Sequence, residues 1–344
     1  MTDAAGSLEL SGQPGRPILD RLAFERLTAA HRRELKLHCY RMMGSLHEAD
    51  DLVQDTFLRA WRARSQFDRR GSLRGWLYTI ATNSCLNAIK ARSTAQRILQ
   101  QPERPPSNER ATGGPAAELT WLEPYPDAEL PDLVDGEPGP EARYEAREAV
   151  QLAFVAAIQL LPPRQRAALL LCDVLGWSAV ETSQLLGGST ASINSALQRA
   201  RATLGERYPQ GRPLQRSRPN RQEALLLERY MQAWQAAKLD SLIELLKEDA
   251  TYHMPPWREW YRGREAIHAF LVTVWGNFSG YRTVATGANA QPAVGVYARS
   301  HQDALWRPHS LHVIEAADGK IASLTIYVPP LGPDLFAAFG LPPI

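Results

Sequence analysis

Apolar positions recur at helical spacing through the first two thirds of this chain, and a two-residue alternation appears only in its last third. From Arg21 to Met43, Phe24, Leu27, Leu35, Tyr40 and Met43 predict a helical run closed by Gly44. A second helix is predicted after His47, in EADDLVQDTFLRAWRAR, with Ala49, Leu52, Val53, Phe57, Ala60 and Trp61 on its apolar face. Glu48, Asp50, Asp51, Gln54 and Asp55 crowd its first turns and its arginines the last, an order that matches the helix dipole. A polar loop from Ser65 to Ser72 leads to a third helix, with Trp76, Leu77, Ile80, Ala81 and Ile89 inward. Its other side is expected to offer Tyr78, Thr82, Asn83, Asn87, Lys90 and Arg92. Asparagine favours caps and turns over helix interiors, so two in one helix call for a hydrogen-bonding reason or are exposed amides.

The periodicity stops at Ser93. QPERPPSNERATGGPAAELTWLEPYPDAELPDLVDGEPGP is a Pro- and Gly-rich connector, in which Trp121 and Tyr125 stand among carboxylates. Aromatics are costly in a merely solvated tether, and they mark a docking motif. Helical spacing resumes from Glu141 to Leu161, with Val150, Phe154, Ala157, Ile158 and Leu161 inward, and Pro162 and Pro163 open the next helix. Then comes WSAVETSQLLGGSTASINSALQRARATL. It reads as a helix from Ser178 to Leu186, a turn at Gly187 and Gly188, and a second helix N-capped by Ser189. Ile193, Leu197 and Leu204 face inward. Ser192, Asn194, Ser195, Gln198, Arg199 and Arg201 form a polar face with short donors first and guanidinium groups later. This is the pattern of a helix-turn-helix DNA reader, although an ordinary hairpin with a solvated basic face shares it.

After the basic hinge PQGRPLQRSRPNR, the stretch EALLLERYMQAWQAAKLDSLIELLKEDA is predicted to be helical, with a further helix around Arg264 to Trp275. Strands are predicted near Tyr281 to Thr286, Ala293 to Arg299, Ser310 to Ala316 and Ile321 to Val328. DLFAAFG near the end is a short helical segment suited to latching onto another module. At 344 residues the chain accommodates several modules. Its net charge of +2 averages over opposed blocks: nine basic residues against Asp68 alone between Arg59 and Arg97, then eight carboxylates and no Lys or Arg from Glu118 to Glu141. The three cysteines Cys39, Cys85 and Cys172 have no metal or disulfide spacing and are expected to be reduced. No signal segment, membrane span, Walker-type loop or catalytic triad is evident. A cytoplasmic, cofactor-free and metal-free protein with no membrane partner is expected.

The order DLVQDTFLRAW, basic loop, WLYTIATNSCLNAIKAR, linker, LPPRQRAALLL and helix-turn-helix resembles regions 2 and 4 of a bacterial RNA polymerase sigma factor of the extracytoplasmic-function type. The resemblance covers roughly residues 21 to 205 apart from the linker. It implies core RNA polymerase (the β′ clamp helices and the β subunit) and promoter DNA as partners. Asp51, Leu52, Gln54, Asp55 and Phe57 match the stretch that docks on the clamp helices. Ser65, Gln66, Phe67, Asp68, Arg69 and Arg70 match the loop that pockets a flipped base of the −10 element, and Asn83 matches a position beside it, with Asn87 and Lys90 on the same helix. Such melting needs stacking surfaces and amide donors rather than a nucleotide site. Arg164, Arg166, Ser192, Asn194, Ser195, Gln198, Arg199 and Arg201 fall to the −35 element, with arginines, Arg207 included, on phosphates and short polar side chains on bases.

KLDSLIELLKEDATYHMPP and YRGREAIHAFL resemble the SnoaL-like members of the NTF2-like cone fold. The expected fold class is therefore multidomain: two all-α modules, the sigma region 2 bundle and the region 4 helix-turn-helix, joined by an acidic linker and followed by an α+β NTF2-like cone. Expected boundaries are 1–20 leader, 21–92 region 2, 93–140 linker, 141–208 region 4, 209–219 hinge and 220–344 cone. Some relatives of the cone are enzymes, which brings in His253, His312 and Asp303 as acid–base candidates, yet a lone strand histidine is more often structural. Trp257, Trp260, Tyr261, Trp275, Tyr297 and Trp306 read as the lining and rim of the cone. The preferred role for the cone is regulation in cis, by contact with the linker or the sigma modules. TWLEPYPD has two candidate partners, the RNA exit path of polymerase and the cone of this same chain, and the sequence does not choose between them. Two rivals remain: a duplex-binding activator independent of polymerase, and a sensor or enzyme built on the cone with DNA-binding modules attached.

Overall fold

The computed structural model describes residues 21–67, 72–91, 97–99, 105–107, 114–116, 119–131, 149–207 and 221–343. Region 2 is a helical bundle of α1 (Arg21–Ala29), α2 (Arg32–Met43), α3 (Leu46–Arg62) and α4 (Leu73–Ala91). The single helix expected up to Gly44 is broken near His31. Gly44 itself ends α2 at φ 71°, where its N–H bonds back to the Tyr40 carbonyl. Ser45 caps α3 by accepting from the Glu48 N–H. The core side of α4 is wider than its apolar spacing predicts: Tyr78 and Thr82, expected outside, are buried because each has an inward partner. The Tyr78 hydroxyl donates to Glu34 at 3.2 Å, and Thr82 meets His38 Nε2 at 2.9 Å. Cys39 and Cys85, remote in sequence, interact in this core, which with burial pushes the Cys85 thiol well up; both are free.

Region 4 comprises α5 (Leu152–Gln159), α6 (Pro163–Leu169), a π-helical turn (Leu170–Val174), α7 (Ala179–Leu186) and α8 (Thr190–Arg207). Pro163 occupies the first turn of α6 as expected. Ser178 and Glu181 form a reciprocal capping box on α7, and Ser189 accepts from the Ser192 N–H at the start of α8. Gly187 and Gly188 take φ of 69° and 128°, where a side chain would be strained.

The C-terminal domain opens with α9 (Arg221–Gln235) and α10 (Leu239–Glu244). Six strands follow: β1 (Leu246–His253), β2 (Trp260–Arg262), β3 (Gly280–Ala288), β4 (Gln291–Arg299), β5 (Trp306–Ala317) and β6 (Lys320–Tyr327). Helix α11 (Arg264–Val274) lies between β2 and β3, and α12 (Leu331–Leu335) after β6. The strand order is β2-β1-β6-β5-β4-β3, with β1 parallel to β6 and the other pairs antiparallel. The helical reading of LKEDA was wrong: these residues begin β1, which pairs with β6 at Leu246 and from Thr251 to His253, a ladder that outweighs local propensity.

Strand alternation divides this sheet between two cores. Tyr252, Val294, Val296, Ile314, Leu324 and Ile326 pack inside the cone under α9 and α11. On the opposite face, Ala293, Tyr297, Leu311, Val313 and Tyr327 join the same core as the two sigma modules. The terminal segment closes over that second face: Phe336 meets Tyr297 edge-on at 5.0 Å, and the Tyr297 hydroxyl donates to the Pro342 carbonyl at 2.6 Å.

Buried histidines set an acid limit on this packing. Desolvation pushes His38 down to about 3 and His253 to about 4, so both stay neutral in the fold and would bind protons once unfolded. Stability is then fully present above the ordinary imidazole range near 6.5 and is lost as pH falls below it toward the folded values. Thermal melts from pH 7 to pH 4 are expected to lose up to about 1.4 kcal/mol per pH unit per histidine. Substituting His38 by Gln is expected to flatten that slope.

Candidate nucleic-acid interface and its clasp

The predicted polymerase-docking stretch lies along α3. Asp51 and Gln54 are exposed, whereas Leu52 and Phe57 lean on the core. Asp55 is committed inside the module: it pairs with Arg59 at 2.7 Å and accepts from the Ser84 hydroxyl of α4 at 3.3 Å. Beside them a groove of about 690 Å³ runs between α1 and α3, lined by Phe24, Arg32, Gln54, Phe57, Leu58 and Trp61. Arg32 covers the Phe57 ring at 5.1 Å, and Leu58 is 56% exposed. Sequence spacing missed Leu58, which stands one position off the apolar stripe.

Of the predicted −10 loop, Ser65 and Gln66 sit in a short 3₁₀ turn and Phe67 packs on Trp76 at 4.9 Å. Asp68, Arg69 and Arg70 lie outside the described residues. Asn83, Asn87 and Lys90 are exposed along one face of α4, which places the two asparagines at solvent. On the recognition helix α8, Ser192, Asn194, Ser195, Gln198 and Arg199 are likewise exposed on one face. Arg201 is exposed but held bidentately by Asp173 at 2.7 and 3.0 Å. Arg164 donates to the Leu186 and Gly187 carbonyls at the end of α7, stiffening the reading turn.

Arg166 corrects the sequence reading. Expected on a phosphate, its side chain is instead buried and 5% exposed, donating to the Ile158, Gln159 and Leu161 carbonyls, to Gln159 Oε1 and, across to region 2, to the Met42 carbonyl. Gln159 answers by donating to the Arg41 carbonyl at 2.9 Å. Arg41, whose guanidinium burial pushes down to about 10, donates to the Ala149 carbonyl. Four backbone carbonyls and one side-chain amide oxygen facing one guanidinium outcompete solvent phosphate at this position. The two DNA modules are thus docked directly, and Tyr78 and Trp177 meet edge-on across the joint at 6.0 Å.

The linker and the cone lock that joint. Tyr125, fully buried, packs on Tyr40 of α2 at 4.9 Å. Its backbone exchanges hydrogen bonds with Asn289, in the β3–β4 turn: Tyr125 N–H donates to Asn289 Oδ1 and Asn289 N–H donates to the Tyr125 carbonyl, each at 2.8 Å. The Asn289 amide also donates to the Tyr40 hydroxyl at 2.9 Å and to the Val150 carbonyl at 2.7 Å. One side chain therefore touches region 2, the linker and region 4, from a turn position at φ 57°. Asp127 accepts from the Ala290 N–H, and Gln291 Oε1 accepts from the Leu152 N–H in the first turn of α5. Glu123 accepts from the Ser45 hydroxyl and the Leu46 N–H at the start of α3. Of the two candidate partners for TWLEPYPD, the cone is the one it touches here. The sequence signalled Trp121 and Tyr125, and Tyr40 as an apolar helix position, but nothing marked Glu123 or Asn289 as partners, and the pairing of Asn289 with Tyr40 spans 249 positions.

The acid–base candidates of the cone separate. His253 and His312 are on opposite faces of the sheet: His253 lines a cavity of about 180 Å³ shared with Arg97 and α5, and His312 lines the cone interior. Asp303 is a surface residue paired with Arg307. Tyr297 belongs to the outer face, not to the cone lining expected for it. No group of His, Cys, Asp and Glu able to hold a metal ion occurs among the described residues, and no described helix is long and apolar enough to cross a membrane.

Comparison with known proteins agrees with this division. Residues 27–94 match the model for sigma-70 region 2, residues 151–204 that for sigma-70 region 4, and residues 227–324 that for the SnoaL-like domain. The ECF RNA polymerase sigma factor SigG of Mycobacterium tuberculosis is 42% identical over 324 residues, covering 93% of this chain and 84% of that protein. SigM of the same species is 29% identical over 185 residues, covering 54% of this chain and 76% of that protein. The crystal structure of the M. tuberculosis extracytoplasmic-function sigma factor SigJ superposes with a TM-score of 0.58 at 20% identity, covering 93% of this chain and 99% of that one. With docked region 2 and region 4 modules, a helix-turn-helix and a SnoaL-like cone, the chain belongs to the extracytoplasmic-function RNA polymerase sigma factors.

Proposed function

We propose that this sigma factor rests in a closed state imposed by its own C-terminal domain, and that opening is required before it serves core polymerase at a promoter. The observation that carries this reading is Asn289, whose single amide ties region 2, the linker and region 4 together. Geometry gives the reason closure matters. Elements centred about 25 base pairs apart lie about 85 Å apart along B-form DNA. Each sigma module is about one 19-residue helix across, roughly 28 Å. Two such modules in direct contact cannot reach both elements at once.

On release, Asp51, Leu52, Gln54, Asp55 and Phe57, with the groove beside them, take the clamp helices of polymerase. Ser65 to Arg70 with Asn83, Asn87 and Lys90 hold the −10 strand. Ser192, Asn194, Ser195 and Gln198 read the −35 element, and Arg164, Arg199 and Arg201 contact its phosphates. Arg166 acts as the joint of the closed state. The cone is read as regulatory rather than catalytic, since both ring nitrogens of His312 are spent on Tyr230 and Ser310.

Run-off transcription with core enzyme tests the closure. Gly287 abuts Asp127 so closely that an added Cβ would overlap its carboxylate, so Gly287→Leu is expected to eject Asp127 from the β3–β4 turn. Asn289→Gly keeps the turn's backbone freedom while removing the amide. Both variants are expected to raise transcript yield and polymerase affinity several-fold. Yields equal to wild type in both would sink the closed-state reading.

Promoter reading is checked separately on the open variants. Asn194→Ala or Gln198→Ala is expected to cost about 1–3 kcal/mol at one −35 position. Arg199→Ala should instead weaken all promoters alike and reduce the salt slope by about one.

A further inference from the structure

The cone encloses a cavity of about 370 Å³, within the range of small-molecule sites, that the sigma activity leaves unused. Its wall is aromatic, with Trp234, Tyr252, Trp257, Phe270, Trp275 and Tyr281 among the lining side chains. Three of its polar lining residues, His309, Ser310 and His312, belong to one ordered hydrogen-bonded chain that starts at Tyr230 behind the wall. Tyr230 OH lies 2.7 Å from His312 Nδ1, His312 Nε2 lies 2.7 Å from Ser310 Oγ, and Ser310 Oγ lies 3.1 Å from His309 Nδ1.

The head of this chain sets its direction. The Tyr230 phenol is fully buried and stays protonated, and its oxygen faces the Trp234 indole N–H, a donor only, so its own O–H donates a hydrogen bond to His312 Nδ1. His312, held neutral by burial, then carries its proton on Nε2 and donates to Ser310. Ser310 donates onward to His309 Nδ1. His309, which burial pushes down to about 4, is also neutral near pH 7, so its proton sits on Nε2 at the cavity wall. The site thus offers a donor at His309 and no fixed charge, and a donor at an apolar wall favours a ligand that supplies an acceptor.

We infer that the cone is a receptor site for a neutral, largely apolar, ring-containing small molecule that presents a carbonyl-type acceptor to His309. Its place in the fold makes it more than a passive hole. Ser310 and His312 face the cavity, while Leu311 and Val313 between and beside them face the core shared with the sigma modules. Gly332 of the terminal segment lies against the backbone of the relay itself, since a Cβ there would fall 2.8 Å from the His309 carbonyl and 2.9 Å from Ser310 Cα. A ligand that moves β5 therefore moves the clasp, a consequence that rests on the closed-state reading.

The probe is Prodan, a neutral naphthyl ketone whose emission moves to shorter wavelength in apolar surroundings, titrated into the full-length protein. Saturable blue-shifted emission is expected, competed by acetonaphthone and not by the equally sized anion naphthoate. Val274→Trp, which adds bulk to the cavity lining, should abolish it, and His309→Phe should weaken it at least tenfold with thermal melts still cooperative. Undiminished binding in both variants, or equal competition by naphthoate, overturns the assignment. Asn289→Gly keeps the cone intact and should still bind Prodan. Bound probe in that variant, together with transcription that the variant leaves unchanged, would refute the clasp while leaving the receptor site standing.

Discussion

A buried amide must have all its hydrogen bonds met inside the protein, and at Asn289 they are met by groups belonging to three different modules. Leaving one such buried partner unsatisfied costs about 1–3 kcal/mol, comparable with the free energies that separate conformations in a switch. The same condition holds nearby. The first turn of α3 is completed by Glu123 from the linker, and that of α5 by Gln291 from the cone. Helix starts leave N–H groups with no intrahelical partner. Here these groups become points of attachment between modules, so region 2 and region 4 are each finished by another part of the chain.

This arrangement explains why one sheet serves two cores. Period-two alternation gives every strand an inner and an outer face, and in a free-standing cone the outer face of β4, β5 and β6 would meet water. In this chain it carries Ala293, Tyr297, Leu311, Val313 and Tyr327 instead. Opening the clasp exposes that apolar face, so the open form needs another surface to cover it or a correspondingly strong pull from polymerase and DNA.

Much of this was legible in the sequence, and what was not has a common cause. Local signals carried well: Gly44 as a helix end, Ser189 as a cap, the double-glycine turn, and the four strands that alternate cleanly. Failures came where distant partners overruled local preference. LKEDA entered a strand because β6 lay alongside it, Tyr78 and Thr82 turned inward because Glu34 and His38 received them, and Arg166 turned from solvent because the Met42 carbonyl faced it. Trp121 and Tyr125 were conspicuous as aromatics in an acidic run, yet their partner was set by Tyr40 and Asn289, far away in the chain. No local pattern encodes such pairings.

In the proposed closed state, the restraint on this sigma factor is covalently attached to what it restrains. A separate antagonist acts according to a ratio of two protein concentrations and is overwhelmed when the target is made in excess. Here the Tyr125 and Asn289 surfaces meet at a fixed effective concentration set by the intervening chain. The fraction open is then an internal equilibrium constant, the same at ten copies per cell as at ten thousand. Raising expression multiplies the output without changing the set point, and resetting it requires something that binds the two forms with different affinity.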